Sequence, residues 1–232
     1  MEKPVTDQAD GLRRLMAGNT ARRITLVDGA SDSSFCSVAL NLAAALTQQG
    51  RDVLLLDERN GPQLAPPARG GRLVLVDAVL DSDGALSPLA ADADHILVVC
   101  AANSDAITQT YLCIKKLHYA HPLAKLRVLV NEAADPAQAQ RLLANMATTG
   151  SRFLGMALEP AGFVRADPFV AQARLLNLCV VEAFSTSAAA RDFLQVATDL
   201  VHWPCPSVAD RMPFAFRSQT KGHEIQSLAD LH

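Results

Sequence analysis

The stretch ITLVDGASDSSFCSVALNLAAALTQQGRDVLLLD, Ile24–Asp57, decides the fold. It opens on a short apolar run, Ile24–Val27, which reads as a buried strand ending at Asp28–Gly29. After a serine-rich turn, Ser34–Gln49 reads as a helix. Its apolar stripe is Val38, Leu42, Ala45 and Leu46, and Gly50 stops it. Val53–Leu56 is then a second buried strand, ending at Asp57. A strand, a returning helix and a second apolar strand form a βαβ unit with a right-handed crossover.

The same alternation continues outward. Pro62, Pro66, Pro67, Gly70 and Gly71 mark a loop, and Leu73–Val76 is a third strand that ends at Asp77. Ile96–Cys100 is a fourth strand, followed by a helix over Asp105–Leu117. Leu126–Val130 is a fifth, ending at Asn131, with a helix near Pro136–Met146 after it. Pro168–Leu178 and Ser187–Val201 read as the last helices; Phe193, Ala197, Leu200 and Val201 share a face of the second. Continuous apolar strands separated by helices predict an α/β fold: a doubly wound, mostly parallel sheet flanked by helices. Ligands of such sheets bind outside the carboxyl ends of the strands, here at Gly29, Asp57, Asp77 and Asn131.

With 232 residues, half of them hydrophobic, the chain can bury one sizeable core. Residues 21–203 are the predicted α/β domain, residues 1–20 an N-terminal helix, and residues 204–232 a Pro-rich, then polar tail expected to be poorly ordered apart from a short helix near Glu224–Leu231. A net charge of -3, with basic residues paired only briefly at Arg22–Arg23 and Lys115–Lys116, gives no nucleic-acid footprint beyond, at most, a small local patch. Cys36, Cys100, Cys113, Cys179 and Cys205 are odd in number and far apart, which predicts reduced thiols in the cytosol and no metal site. His118 and His121 have helical spacing but no ligand cluster, and read as surface residues at a helix end. The polar Met1–Asp10 does not read as a secretory signal, and no apolar run has the length of a membrane span; the expectation is a soluble, cytoplasmic protein.

The turn in VDGASDSSFC sits where a P-loop would, between strand and helix. A working loop, G-x-x-x-x-G-K-[ST], needs glycines so that amides can wrap phosphate, a lysine for the β/γ charge and a hydroxyl for magnesium. Here Gly29 fits the first glycine, while Ser34, Phe35 and Cys36 stand at the second glycine, the lysine and the hydroxyl. The lost lysine hydrogen bond is worth about 1.5–3 kcal/mol. Asp32 adds a like charge near any phosphate, and a thiol is a poor magnesium ligand. The sum is about a thousandfold in affinity. The bland alternative is a serine-rich helix start with Ser33 or Ser34 as N-cap; weak ATP or ADP binding through helix-terminus amides stays open. No catalytic residue and no cofactor is expected.

At the N-terminus, DQADGLRRL spans Asp7–Leu15. Asp7 can cap a helix over Gln8–Met16, Asp10 suits its first turn, and Leu12, Leu15 and Met16 make a small apolar stripe. One reading is an ordinary helix docking on its own domain.

Four segments in order carry a family resemblance: DQADGLRRL, then SVALNLAAALTQQGRDVLLLD at Ser37–Asp57, then SDAITQTYLCIKKL at Ser104–Leu117 with RVLVN at Arg127–Asn131, and VVEAF at Val180–Phe184. With them the chain resembles the FlhG/FleN flagellar-number regulators of the MinD/ParA-like P-loop ATPase class, over about Asp7 to Val201. The family's K-G-G-V-G-K-T aligns without a gap on Ala30–Cys36, so Ala30 and Phe35 replace both lysines and Cys36 the threonine. The resemblance implies that Asp57 is the water- and magnesium-positioning acid, Asp77 the Walker B aspartate and Asn131 the adenine contact. Strand-end capping is the alternative for all three. It further implies that Asp7, Gln8, Ala9, Gly11, Leu12 and Arg13 form a segment that activates an SRP-type flagellar GTPase, FlhF, with Gln8 orienting the attacking water and Arg13 meeting charge.

The motif survives while the loop does not, so the sequence favours a pseudo-ATPase that regulates flagellar number or assembly by binding proteins. Two alternatives are an active MinD-like ATPase and an antiactivator of a flagellar transcription regulator; a switch-complex protein is a further candidate partner. The tail lacks a convincing basic amphipathic helix, with Pro213 interrupting Arg211, Met212, Phe214, Phe216 and Arg217. Recruitment to the pole or the inner membrane face is therefore expected only through a partner.

Overall fold

The computed structural model describes residues 21–30, 38–60, 72–122 and 124–204. Along the chain run β1 (Arg22–Asp28), α1 (Val38–Gln48), β2 (Val53–Asp57), a 3-10 turn (Glu58–Asn60), β3 (Leu73–Ala78), α2 (Pro88–Ala91) and β4 (His95–Ala101). Then come α3 (Ser104–Ala120), β5 (Leu126–Ala133), α4 (Pro136–Thr149), a π-helical turn (Gly150–Leu154), β6 (Glu159–Arg165), α5 (Pro168–Leu175), α6 (Val180–Ala183) and α7 (Ala188–His202). The sheet has six strands in the order β2-β3-β1-β4-β5-β6, and every pair is parallel. The chain visits one side of β1 with β2 and β3 and the other with β4 to β6. The doubly wound architecture read from the sequence is the one observed.

Both faces of the sheet are covered, which is why its strands are apolar without a break. Ile24, Leu26, Leu73, Leu75, Leu97 and Leu129 point to the side of α1, α6 and α7. Their neighbours Val27, Val74, Val76, Ile96, Val98 and Val128 point to the side of α2, α3 and α4. This is the period of two that a strand imposes. The one polar side chain in the middle of β1, Thr25, donates to Ala90 O at 2.8 Å. On the other face buried Asn41 of α1 accepts the Val180 amide at 2.9 Å, capping α6 where Cys179 makes no side-chain cap.

Local signals explain most helix starts. Ser87, Asn103, Asp135, Asp167 and Ser187 each accept an amide from the first turn of the helix they precede. Asp167 serves two helices, accepting Phe169 N at 2.9 Å and Ala189 N at 3.0 Å.

Three sequence expectations need correction. β6 was not expected, because EPAGFVR carries Pro160 and Gly162, residues that argue against a strand. It survives as an edge strand paired only with β5, with Gly162 at φ 119 and a register shift there. The helix expected to reach Leu178 ends at Leu175, and Asn177 at φ 54 turns the chain into α6. His121 is no plain surface residue: its Nε2 accepts the Leu86 amide at 3.0 Å, pinning the β3–β4 crossover to the end of α3. Cys100, Cys113 and Cys179 are buried and unbridged; Cys36 and Cys205 lie outside the described residues. Among the described residues no helix is long and apolar enough to cross a membrane.

Candidate functional site

The carboxyl ends of β2, β3, β1, β4 and β5 lie along one edge, and four of the eight residues expected there are set by register. Asp57 pairs with Asp77, and Asp77 with Leu26 on β1. Gly29 follows β1 directly, and its amide donates to Val99 O of β4 at 2.9 Å. Asn131 pairs with Ala101 and its carbonyl accepts the Ala102 amide at 2.9 Å. With strands about 4.8 Å apart, Asp57 and Asp77 are neighbours while Asn131 stands three strands from Asp77, about 14 Å across the edge. Ala30 is half-buried, its amide donating to Asp28 Oδ1 at 3.1 Å. Ser34, Phe35 and Cys36, and the segment with Asp7, Gln8, Ala9, Gly11, Leu12 and Arg13, lie outside the described residues.

Gly29 has a reason to be glycine that involves no phosphate. A Cβ there would lie 2.4 Å from Thr110 Oγ1 and 2.8 Å from Val99 O, so α3 packs directly on the β1 terminus. Thr110 is fully buried beside Cys100. Burial pushes the Cys100 thiol above its usual range, opposed by the nearby Thr110 hydroxyl.

The acidic pair is engaged by the chain itself. Asp57 Oδ1 accepts the Arg59 amide at 2.9 Å, forming the 3-10 turn after β2. Glu58 in that turn accepts a hydrogen bond from the Ser87 hydroxyl, fixing the turn to the β3–β4 crossover. The turn aims the Arg59 guanidinium at Asp77 Oδ1, 3.8 Å away, where the Asp77 side chain is 9% exposed. A magnesium–phosphate group needs oxygen donors at this position. The described residues fit it poorly, because a tethered cation already faces the Asp77 carboxylate. Arg59 was not among the residues singled out from sequence. The only signal was a basic residue two places after a strand-end acid, which is ordinarily a surface residue.

Asn131 is carried on a distorted strand end. Glu132 has φ 58 and the β5–β6 register shifts between Val130 and Ala133. A non-glycine residue in this region costs on the order of 1 kcal/mol, and such bulges re-aim the side chains beside them.

Beside Gly29 opens a cleft of ≈590 Å³ on the α3 side of the sheet. Its walls are Val79 and Leu80 after β3, and Gln109, Leu112 and Tyr119 of α3. Cys113 lines it too, with its thiol pushed up to about 12 by burial and then by the Asp28 charge. Among the described residues no three His, Cys, Asp or Glu side chains gather as a metal site.

No family model matches the chain. It is similar to the solved MinD cell division protein of Aquifex aeolicus, 15% identical with a TM-score of 0.58, over 80% of this chain and 99% of that one. It is likewise similar to the septum site-determining protein MinD of Pyrococcus horikoshii, 14% identical, TM-score 0.55, over 79% and 97%. A ParA family ATPase of Chlorobium tepidum gives 11%, 0.53, and 78% and 99%. The fold is therefore that of MinD and ParA. Among curated proteins the antiactivator FleN of Pseudomonas aeruginosa is 28% identical over 83% of this chain and 80% of its own length. The class these comparisons support is the one identified from the sequence, the MinD-like FlhG/FleN regulators.

Proposed function

We propose that this chain is a flagellar regulator of the MinD/ParA type that works by binding proteins rather than by an ATPase cycle, and that it stimulates an SRP-type flagellar GTPase through Asp7–Arg13. The observation that carries the reading is a contrast within one sequence. The DQADGLRRL segment matches the family motif, while Ala30, Phe35 and Cys36 replace the loop's lysines and threonine. The Arg59–Asp77 pairing supports the second half, since it gives the Walker B carboxylate a partner other than metal. In chemical terms Gln8 orients water in the partner's site and Arg13 meets developing charge.

The test is GTP hydrolysis by the cognate GTPase with a peptide spanning Met1–Thr20. Stimulation that is lost in Gln8→Ala and Arg13→Ala peptides is expected; no stimulation, or equal stimulation by the variants, defeats the proposal. Calorimetry with Mg-ATP separates the pseudo-ATPase from an active enzyme, because micromolar binding belongs only to the latter.

A second reading is favoured by the similarity to a protein named as an antiactivator. The chain would then bind and restrain a flagellar transcription regulator. A pull-down offering both the GTPase and the regulator decides between the two, and retention of the regulator alone selects this one.

A further inference from the structure

We infer that the cleft along α3 is the resting place of the chain's own N-terminal segment, with Leu12, Leu15 and Met16 seated between α3 and the residues after β3. The docking stands on observations independent of the proposed function; only its regulatory consequence rests on that reading.

The cleft is an open groove with a helical wall. Gln109, Leu112, Lys116 and Tyr119 succeed one another at spacings of three and four, so one face of α3 runs along it. That face covers ten residue rises, about 15 Å. Three large apolar side chains are left in water there: Val79 is 50% exposed, Leu112 46% and Tyr119 69%. Apolar side chains gathered along a groove mark a binding surface, and grooves of this form take an amphipathic helix.

The point at which the described chain begins selects the occupant. Ala21, the first described residue, packs on the α2–α3–α4 side of the sheet, the side on which the groove lies. It sits at the amino-terminal edge, as does the Tyr119 end of α3, since α3 runs back from β4 to the start of β5. Ala17–Thr20 can span up to about 14 Å. The helix that Gln8–Met16 predicts is about 13 Å long, close to the length of the groove. The other end of the chain is placed badly for this. Trp203, next to the last described residue, packs in the α1–α6–α7 core, on the opposite face of the sheet from the groove. The groove carries both signs, Asp28 and Asp81 against Arg59, Lys115 and Lys116, and the segment Asp7–Met16 balances Asp7 and Asp10 against Arg13 and Arg14. No net repulsion opposes docking.

A docked helix turns its apolar stripe inward, so a partner that needs that stripe must compete with the groove. An equilibrium of this kind lowers apparent affinity for the partner by the undocked fraction.

Amide hydrogen exchange on the full chain is the test. In the unaltered protein the Gln8–Met16 amides are expected to exchange about tenfold or more slower than an unstructured chain, reflecting the docked population. Leu112→Glu and Leu12→Glu should each abolish that protection and leave the β1 and β4 amides unchanged. If Leu112→Glu proves badly folded, Tyr119→Glu, at a more exposed position, replaces it. Coil-like exchange in the unaltered protein overturns the inference, as does protection that survives both groove substitutions. Protection that rises with protein concentration also overturns it, since the occupant would then be a second copy. If the protection pattern holds while the Met1–Thr20 peptide fails to stimulate the GTPase, docking stands and the proposed function falls. If both hold, Leu112→Glu raises stimulation by the full chain by the factor through which protection was lost.

Discussion

The two edges of the sheet are built differently. At the amino-terminal edge, basic residues beginning β1 and β5 grip the end of α7. Arg22 donates to Val201 O and Trp203 O, both at 2.7 Å, neutralising the helix's carboxyl end. The Arg127 guanidinium lies 4.3 Å from the Trp203 ring centroid, pairs with Glu159 and donates to Pro160 O at 3.3 Å. His95 packs edge-on to the same ring at 5.4 Å. At the carboxyl-terminal edge such a grip is confined to β6, where Arg165 holds Asp192 of α7 at 2.7 and 2.8 Å. At β2 and β3 a long ion pair, Arg59–Asp77, joins an exposed turn to the sheet, and Glu132 stands in a strained conformation. One edge spends its polar groups on holding the chain together. From β2 to β5 the other keeps charge and strain where ligands of this fold class bind, as functional sites tend to.

Trp203→Ala is the most damaging way to probe this contrast. Trp203 is 8% exposed, and removing a buried aromatic ring costs about 3–5 kcal/mol. For a domain of this size the melting temperature should fall by roughly 10 °C. A melt as mild as that of an Arg59 variant would erase the distinction between the edges.

Gly29→Ala carries the comparison to the other edge at a smaller size. The added methyl meets both Thr110 and the Val99 carbonyl, and the backbone atom cannot yield, so overpacking of about 1–3 kcal/mol is expected. Thr110→Ala relieves only the side-chain part, so the double variant should recover partially in denaturant melts. Full tolerance of Gly29→Ala would return this glycine to a purely phosphate-binding explanation.

The histidine at the gripping edge gives a pH signature. His95 Nδ1 accepts from Arg127 Nε at 3.4 Å, so Nε2 bears the proton and donates to Pro204 O at 2.9 Å. Burial lowers its pKa below the ordinary 6.5; the Pro204 carbonyl opposes this, Arg127 and Arg22 add to it, and Asp94 opposes it weakly. Above pH 6.5 neither folded nor unfolded chain holds the proton, and stability is full. As pH falls below that value the unfolded chain takes up a proton that the native state refuses, so stability declines by at most about 1.4 kcal/mol per pH unit. His95→Gln keeps a donor and an acceptor without titrating. It should flatten this part of the urea-midpoint profile between about pH 7 and 5; identical profiles for both proteins would show that His95 is not buried neutral.

How far the sequence reached obeys the same division. Strands buried on both faces announce themselves as apolar runs, so β1 to β5 were legible from Ile24–Val27 onward, and the four ligand-edge positions came from where those runs stop. β6 was not legible, because an edge strand tolerates the Pro160 and Gly162 that a central strand would reject. The grip on Trp203 was not legible either: Arg22, His95 and Arg127 are 32 or more residues apart in pairwise contacts such as Arg127–His95, and only sheet order brings them together. Gly29 was read as a phosphate-loop residue on local pattern, whereas its tightest neighbour, Thr110, comes from another helix. Arg59's turn toward Asp77 carries no local signal, since it depends on Glu58 and Ser87 meeting across the fold.

Arg59→Ala should have the smallest effect on stability and sharpens the contrast most. The pair is long and its guanidinium is 32% exposed, so the loss belongs with exposed ion pairs, under about 1 kcal/mol. The larger consequence is for nucleotide binding. If, as proposed, the absence of lysine at Ala30 and Phe35 limits Mg-ATP binding, removing the arginine from Asp77 alone leaves that binding unchanged. Phe35→Lys with Cys36→Thr should raise affinity by roughly tenfold to a hundredfold, the size of one charge-assisted contact. Adding Arg59→Ala to that pair should raise it further, because only then do a phosphate cation and a carboxylate relieved of its arginine coexist. A gain from Arg59→Ala by itself would mean that the arginine, and not the loop, holds the site shut.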